Sequence, residues 1–507
     1  MDKTTGENVF TGMNDFAVID VETTMIQGGE YPKTLFWGFA DSTGYRKFKT
    51  TKALLKFLSR YEPRTLLHHS NFDVLQLLLD GANVRPLRSH NARLIRCKLG
   101  NHELLNSFSV FPVALGKIFA CYGYAKTELS QLEKRNYEDC VLGLECFLKL
   151  DSTFQSLCGV SPLAKGTIAG TSFTAAQECA GEKMPRNDEH LEAYRGGRVE
   201  VFNVSECRAD KFDINSSYPF SILDCPDKDD LLEVEITTKD HFGPLFDADV
   251  DDCLFFPNGK FTSFVYRSNW ERYIEPHCLK TSIRVRKKTR IDFRWLKGTI
   301  PLVLKLYRLK QQSTQDNKPG IAMACKLLLN SMYGRIGLKG ECERVRFMSY
   351  HPDTHDGTIY KLGRGRYLVF DTIWREVKSN YPFAAWITDN ARARLYRAFV
   401  GSNAYYGDTD SVMCQHGSDH FEKHETLGEN VGEWKHEGTE RFQANNVKDY
   451  FWGEEEIRKG GSGFVLWTLK QLGSGEPPRQ VDRERISELR KRTVTKSGVT
   501  IPITVPL

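Results

Sequence analysis

The first 150 residues alternate strand-like and helix-like stretches: FAVIDVETT and TLFWGFAD, then TKALLKFLSRYE, TLLHHS and NFDVLQLLLDG. Such alternation commits this part of the chain to an α/β unit. At 507 residues the chain outgrows a single core, so three or four domains are expected. Residues 161–182, SPLAKGTIAGTSFTAAQECAGE, read as one small-residue helix, and AYRGGRVEVFN turns through two glycines into a strand. A boundary is expected near 185–195. KFDINSSYPF reads as a strand, followed by short strand candidates and turns to about 298. PLVLKLYRLKQQ and GIAMACKLLLNSMYGRIG are helical patterns separated by DNKPG, hence an antiparallel helical hairpin. Residues 341–371 read as a β-hairpin, 380–400 as a helix, and YYGDTDSVMC as strand-turn-strand.

Composition excludes several classes. Hydrophobic residues make up 40% and charged residues 27%, an ordinary globular balance. Thirteen scattered cysteines without a C-x-x-C pair indicate neither a zinc site nor a disulfide framework, and fit a reducing, intracellular compartment. The N-terminus lacks a basic region followed by an apolar run, and no eighteen-residue apolar stretch occurs, so neither export nor a membrane span is expected. The net charge of +5 says little about partners. Its distribution says more: RVRKKTR (284–290) and RERISELRKRTVTK (483–496) are basic runs that suit phosphates or, equally, solvated faces.

Acids recur in pairs. In YGDTDSV, Asp408 and Asp410 lie two apart, so in an extended chain they leave the same face and repel unless a cation sits between them. Taken alone the stretch reads first as a hairpin tip. Asp213 ends KFD, and Asp213, Asp408 and Asp410 together suit two-metal chemistry on a triphosphate. Lys326 and Asn330, four apart, share a helix face and suit a nucleotide's charge; a core helix with polar ends is the equal alternative. Near the N-terminus, Asp20 and Glu22 repeat the spacing, and Asp73 and Asp139 stand beside helical patterns that can bring them to the same sheet end. Four such acids can hold two divalent ions; singly, each reads as a cap or surface charge.

In order, these motifs resemble the family B DNA polymerases, specifically the protein-primed branch of bacteriophages and linear plasmids. DVETT, SNFD and NYED resemble its exonuclease motifs, FDINSSYP and YGDTDS its palm motifs, and KLLLNSMYG its fingers motif. YRGG, TDNAR, KDY and KTEL resemble the branch's linker, T-x-x-A/G-R, K-x-Y and K-x-x-h motifs. The resemblance spans about residues 15–455. It implies a multidomain α/β and α+β protein: a ribonuclease-H-like 3′-5′ exonuclease domain, then a right-hand polymerase of palm, fingers and thumb with two insertions. The implied bounds are exonuclease 1–185, linker and first palm part 186–224, first insertion 225–298, fingers 299–339, second insertion 340–380, second palm part 381–453 and thumb region 454–507.

The resemblance also implies roles. Asp213 and Asp410 are the main polymerisation ligands with Asp408 in support, and Asp20, Glu22, Asp73 and Asp139 are those of the exonuclease, each site taking two Mg²⁺ or Mn²⁺ ions. Lys326 and Asn330 hold the nucleotide, Tyr218 is the steric gate against a 2′-hydroxyl, and Tyr333 lines the base-pair pocket. Tyr194, Gly196, Gly197, Thr388, Arg392, Lys448 and Tyr450 contact template or primer, and Lys126 belongs to the exonuclease side. Partners are DNA, dNTPs and, because the exonuclease begins almost at once, a separate priming protein; the enzyme is a monomer. The first insertion implies a priming-protein contact. The second implies a two-stranded clamp, with Arg344, Arg346, Arg364, Arg366 and Tyr367, for strand displacement.

Three departures stand out. Ser217 replaces the usual leucine before the gate. Arg135 stands where the third exonuclease motif has tyrosine, so proofreading is weakened or Tyr137 fills in. Asn71 lies closer to Asp73 than the single-strand-binding asparagine does, making His69 an alternative occupant. A DNA-primed polymerase and a silent DNA-binding relic are the rival readings.

Overall fold

The computed structural model describes residues 15–24, 32–69, 71–90, 93–125, 127–128, 130–249, 254–351, 358–363, 366–458, 493–494 and 500–501. The N-terminal unit is built on β1 (Phe16–Thr23), β2 (Thr34–Asp41), β3 (Gly44–Phe48), α1 (Thr51–Leu58), β4 (Thr65–His68), α2 (Asn71–Leu79), β5 (Val84–His90), β6 (Arg93–Leu99) and β7 (His102–Asn106). Its seven strands lie in the order β3-β2-β1-β4-β7-β6-β5, with β4 parallel to both β1 and β7. Alternation along β1 divides its side chains between the faces. Ala17, Ile19 and Val21 join the core under α1 and α2. Val18 joins the opposite core with Cys140, Leu144 and Phe147, so Asp20 and Glu22 leave the sheet on that second face. Short helices α3 (Ser107–Val110) and α4 (Leu115–Ala120) lead to the long α5 (Leu132–Cys158), which closes this face.

The expected single helix over 161–182 is two, α6 (Pro162–Lys165) and α7 (Ile168–Ala180). Gly166 at φ +77° ends the first, and the Thr167 side chain accepts from Gly170 N to start the second.

A second seven-stranded sheet is assembled from distant segments: β8 (Val199–Val201), β9 (Cys207–Ile214), β16 (Ala404–Asp408), β17 (Ser411–Gln415), β18 (Trp434–Asn446), β19 (Asp449–Trp452) and β20 (Glu455–Arg458), ordered β20-β19-β18-β9-β17-β16-β8. It extends past the boundary expected at 453. The strand expected over KFDINSSYPF ends at Ile214, and α8 (Ser217–Leu223) follows.

Between the two halves of this sheet the chain makes three excursions. The first carries β10 (Lys228–Thr238), β11 (Gly259–Tyr266), α9 (Arg267–Asn269), β12 (Thr281–Asp292) and α10 (Arg294–Gly298), its sheet ordered β11-β10-β12. The exposed basic run lies on β12, where Lys288 and Arg290 join Arg267 around the buried Asp230. The second is the expected helical hairpin, α11 (Ile300–Gln315) and α12 (Pro319–Ile336). The third carries β13 (Glu341–Met348), β14 (Thr358–Gly363) and β15 (Arg366–Trp374). It is three-stranded, β13-β15-β14, where two strands were expected. Val345, Leu368 and Phe370 complete the core of the N-terminal unit beside Leu78, Val84 and Leu94. Helix α13 (Tyr381–Ser402) returns the chain to the sheet, and α14 (His420–His424) precedes β18. Among the described residues no helix is long and apolar enough to cross a membrane, and the cysteines are free thiols.

Candidate active site

YGDTDSV is a hairpin tip and more. Asp408 pairs with Ser411 across β16 and β17, leaving Thr409 and Asp410 as the turn, with Thr409 at φ +65°. A threonine there is costly, by about 1 kcal/mol or more, and three contacts hold it. Thr409 N donates to Arg198 O at 2.7 Å, its Oγ1 to Asp408 Oδ1 at 3.0 Å, and Asp410 N to Asp408 O at 2.6 Å. Arg198 is itself fully buried, bonded to Glu200 at 2.6 Å and lying over the Phe256 ring.

Ile214 N donates to Asp410 O at 2.8 Å, which seats the turn against the end of β9 and brings Asp410 beside Asp213. Burial first, then the like charges of Asp410 and Glu437, push the Asp213 carboxyl up to about 7, against Lys211 and Lys326. Lys326 and Asn330 are both exposed on α12. Lys310 on α11 is a cation that motif reading missed. Burial and Lys326 hold its ammonium below the usual range, while Asp213 pulls the other way. Its only sequence signal was the basic studding of PLVLKLYRLKQQ.

The Tyr218 and Tyr333 rings lie 4.1 Å apart, tilted by 35°. Gly197 makes this possible: a Cβ there would sit 2.9 Å from the Tyr218 hydroxyl and 2.7 Å from Thr409 Cγ2. Tyr194 stacks on Tyr381 at 6.3 Å, against Gly337, whose Cβ would sit 2.5 Å from the Tyr194 ring. Thr388 and Arg392, expected at a DNA backbone, are both buried. Thr388 bonds back to Ala384 and Ala385 carbonyls, and Arg392 Nη1 donates to the carbonyls of Arg195 at 2.8 Å and Gly196 at 2.9 Å. As folded Arg392 braces the Tyr194–Gly197 loop from behind, while Thr388 is bonded within its own helix. Tyr450 is buried against Tyr406, whereas Lys448 reaches across to pair with Asp408.

The donor set suits a hard divalent cation. Asp213 and Asp410 are carboxylates crowded together at a sheet end, one of them reluctant to ionise, and hard oxygen donors are what Mg²⁺ and Mn²⁺ take. Asp408 is turned to Lys448 and Thr409. Among the described residues no three His, Cys, Asp or Glu side chains close into a metal cage.

In the N-terminal unit Asp20, Glu22, Asp73 and Asp139 converge around Cys140. All four charges, after burial, hold its thiol well above the usual range. Asn136 Nδ2 donates to Asp20 Oδ2 at 2.7 Å, and Val21 N to Asp73 Oδ1 at 3.3 Å. Arg135 lies 3.6 Å from Asp139, one helical turn on, while Tyr137 is exposed and edge-on to Tyr45. Asn71 is buried, its oxygen accepting from Leu94 N and Asn106 Nδ2. His69 bonds Ser107 and stacks on Phe147. Lys126, Arg364 and nearly all of the 483–496 basic run lie outside the described residues.

Between β5 and β13 runs a cleft of about 410 Å³ lined by Arg85, Arg88, Arg344, Arg346 and Arg375. Arg344 and Arg346 both reach Asp371, and Arg366 is spent on the carbonyls of Leu78 and Gly81. Arg88 is held below its usual range by burial and by Arg96 and Arg375, and Arg335 at the end of α12 by burial and by Arg88. An anion entering the cleft would relieve this repulsion.

No protein-family model matches the sequence, and no curated protein does. Solved structures do. Phi29 DNA polymerase with primer-template DNA and incoming nucleotide substrates matches with a TM-score of 0.62 at 15% identity, over 96% of this chain and 98% of that one. Its post-translocation binary complex with primer-template DNA gives 0.63 at 15%, and its complex with single-stranded DNA 0.63 at 13%, over the same shares. At this identity the likeness is one of fold, and it spans nearly the whole chain: the protein has the multidomain α/β fold of phi29 DNA polymerase, the branch that its motifs resemble.

Proposed function

We propose that the chain is a template-directed DNA polymerase with a 3′-5′ exonuclease in the same polypeptide, copying a linear viral or plasmid-like genome from a separate priming protein. The observation that carries the reading is the Asp213–Asp410 pair at the end of the second sheet, faced by Lys326 and Lys310. On this reading the second sheet is the palm, α11 and α12 are the fingers, the N-terminal unit is the exonuclease domain, and the two three-stranded excursions are the insertions. Of the 454–507 region expected as thumb, Glu455–Arg458 would belong to the palm sheet as β20, and the thumb would come from the residues after it.

Asp213 and Asp410, with Asp408 once Lys448 turns to a primer end, would hold Mg²⁺ or Mn²⁺, which supplies Lewis-acid activation of a 3′-hydroxyl and charge relief on a triphosphate. Lys326 and Lys310 neutralise the triphosphate, Asn330 orients it, and Tyr218 on Tyr333 closes the space a 2′-hydroxyl would need. Tyr194, Gly196 and Gly197 offer backbone to the strand, braced by Arg392, with Thr388 one turn earlier on the same helix, while Lys448 and Tyr450 serve the primer side. The arginine cleft suits a single strand's phosphates, which are held without regard to sequence.

In the N-terminal unit, Asp20, Glu22, Asp73 and Asp139 suit hydrolysis of a 3′ end held near His69. The Arg135 contact with Asp139 favours a second reading of this half, in which degradation is weak because an arginine competes for that acid. Primer extension on a singly primed circular template, with and without Mg²⁺, tests the polymerase reading; no extension with Mg²⁺ present refutes it.

A further inference from the structure

Helix α13 carries a charged pair that the site above uses only in part. Asp389 and Arg392 are each 5% exposed, one turn apart, with Arg392 Nη2 at 3.5 Å from Asp389 Oδ1. The other Asp389 oxygen accepts from Tyr266 N at 3.0 Å and Asn269 Nδ2 at 2.9 Å, at the end of β11 and in α9. Asn390 adds bonds of 3.0 Å to Asn269 and to Asp224. On its far side Arg392 holds the Arg195 and Gly196 carbonyls, and Gly197, next along, is the residue whose missing Cβ leaves room for the Tyr218 hydroxyl. A continuous run of contacts therefore leads from the first insertion through Asp389 and Arg392 to the loop that walls in Tyr218.

Burying a guanidinium without a counter-charge is costly. Burial lowers the Arg392 pKa and raises that of Asp389, each opposed by the other's charge. Without Asp389 the guanidinium loses its anchor, the two carbonyls lose their donor, and a loop with adjacent glycines is free to back away from Tyr218.

We infer that Asp389 is a positioning residue for sugar selection: acting through Arg392, it fixes the 195–197 loop against Tyr218, with the first insertion holding it by way of Tyr266 and Asn269. The inference rests on the polymerase reading, with Tyr218 as the gate.

The test is single-nucleotide addition of a dNTP and the matching rNTP to one primer-template, read as the ratio of their kcat/KM values. That ratio does not depend on the fraction of protein folded. In Asp389→Asn the preference for dNTP falls about tenfold, as the guanidinium loses its ion-pair partner at 3.5 Å. In a Tyr218→Val background the same substitution leaves the ratio unchanged, because the gate it positions is gone. Asp389→Asn with Arg392→Met removes both charges, avoids a stranded guanidinium, and gives the same fall if the single variant does not fold. A wild-type ratio in either soluble variant, or an equal fall on top of Tyr218→Val, overturns the inference while leaving the polymerase reading intact. A wild-type protein that adds no nucleotide at all overturns that reading, and the inference with it.

Discussion

Asp213→Asn should make the protein more stable at pH 8 and useless as a polymerase. An unfolded aspartate titrates near 3.8, whereas folding moves Asp213 to about 7 through burial and the neighbouring charges of Asp410 and Glu437. The fold favours the protonated form, so the unfolded chain binds fewer protons, and stability falls as pH climbs from about 4 to about 7. Above that window the full cost applies. A rise of about three pH units at about 1.4 kcal/mol each amounts to about 4 kcal/mol, an upper figure because the carboxyl is not fully enclosed. Asparagine keeps the shape and removes the charge. Thermal unfolding of both proteins at pH 8 should put the variant several degrees higher, and the gap should narrow by pH 5 and close only below about pH 4, where the unfolded carboxyl is protonated as well. Adding Mg²⁺ or Mn²⁺ at pH 8 should raise the wild type more than the variant, since a cation that binds only the folded site stabilises it by mass action. Equal midpoints at pH 8, or a gap that persists unchanged at pH 5, would show that Asp213 carries no such strain.

Other outcomes are as definite. Tyr218→Val should admit ribonucleotides, because the ring excludes the 2′-hydroxyl by contact; unchanged discrimination rejects Tyr218 as the gate. Arg135→Tyr should speed Mg²⁺-dependent degradation of a single strand by freeing Asp139 from its 3.6 Å partner, and an unchanged rate means that the pair does not limit this site. Arg88→Ala with Arg375→Ala should weaken single-strand binding and lower the salt slope by about 1 to 2; an unaltered slope would place the strand elsewhere.

What could be read from the sequence was local. DNKPG separates the two helices of the hairpin at Asn317, which takes φ +53°, and the carboxylates two apart in DVETT and YGDTDS do fall at strand ends. What could not be read depends on packing between distant segments. Nothing in TDNAR shows that Thr388 is buried within its helix, or that Arg392 is buried behind a loop almost 200 residues earlier in the chain. Nothing in ERVRFMSYH shows that Val345 seals the N-terminal core, so replacing 340–380 with a Gly-Ser linker would unseat that core as well as remove the expected clamp. The cluster of Arg88, Arg335 and Arg375 comes from three separate elements and leaves no trace in any one stretch. Lys310 lacked a motif and became visible only when α11 lay beside α12.

On the proposed function one chain holds two independent acid sites, one building DNA and one degrading it. The direct measurement follows a labelled primer on a singly primed template with Mg²⁺, with and without dNTPs, for the wild type, Asp410→Asn, and Asp20→Ala with Glu22→Ala. Asp410→Asn should lose extension yet shorten the primer as the wild type does, and the double variant should extend without shortening it. Loss of both activities in either variant, or extension that survives Asp410→Asn, would contradict the proposed function.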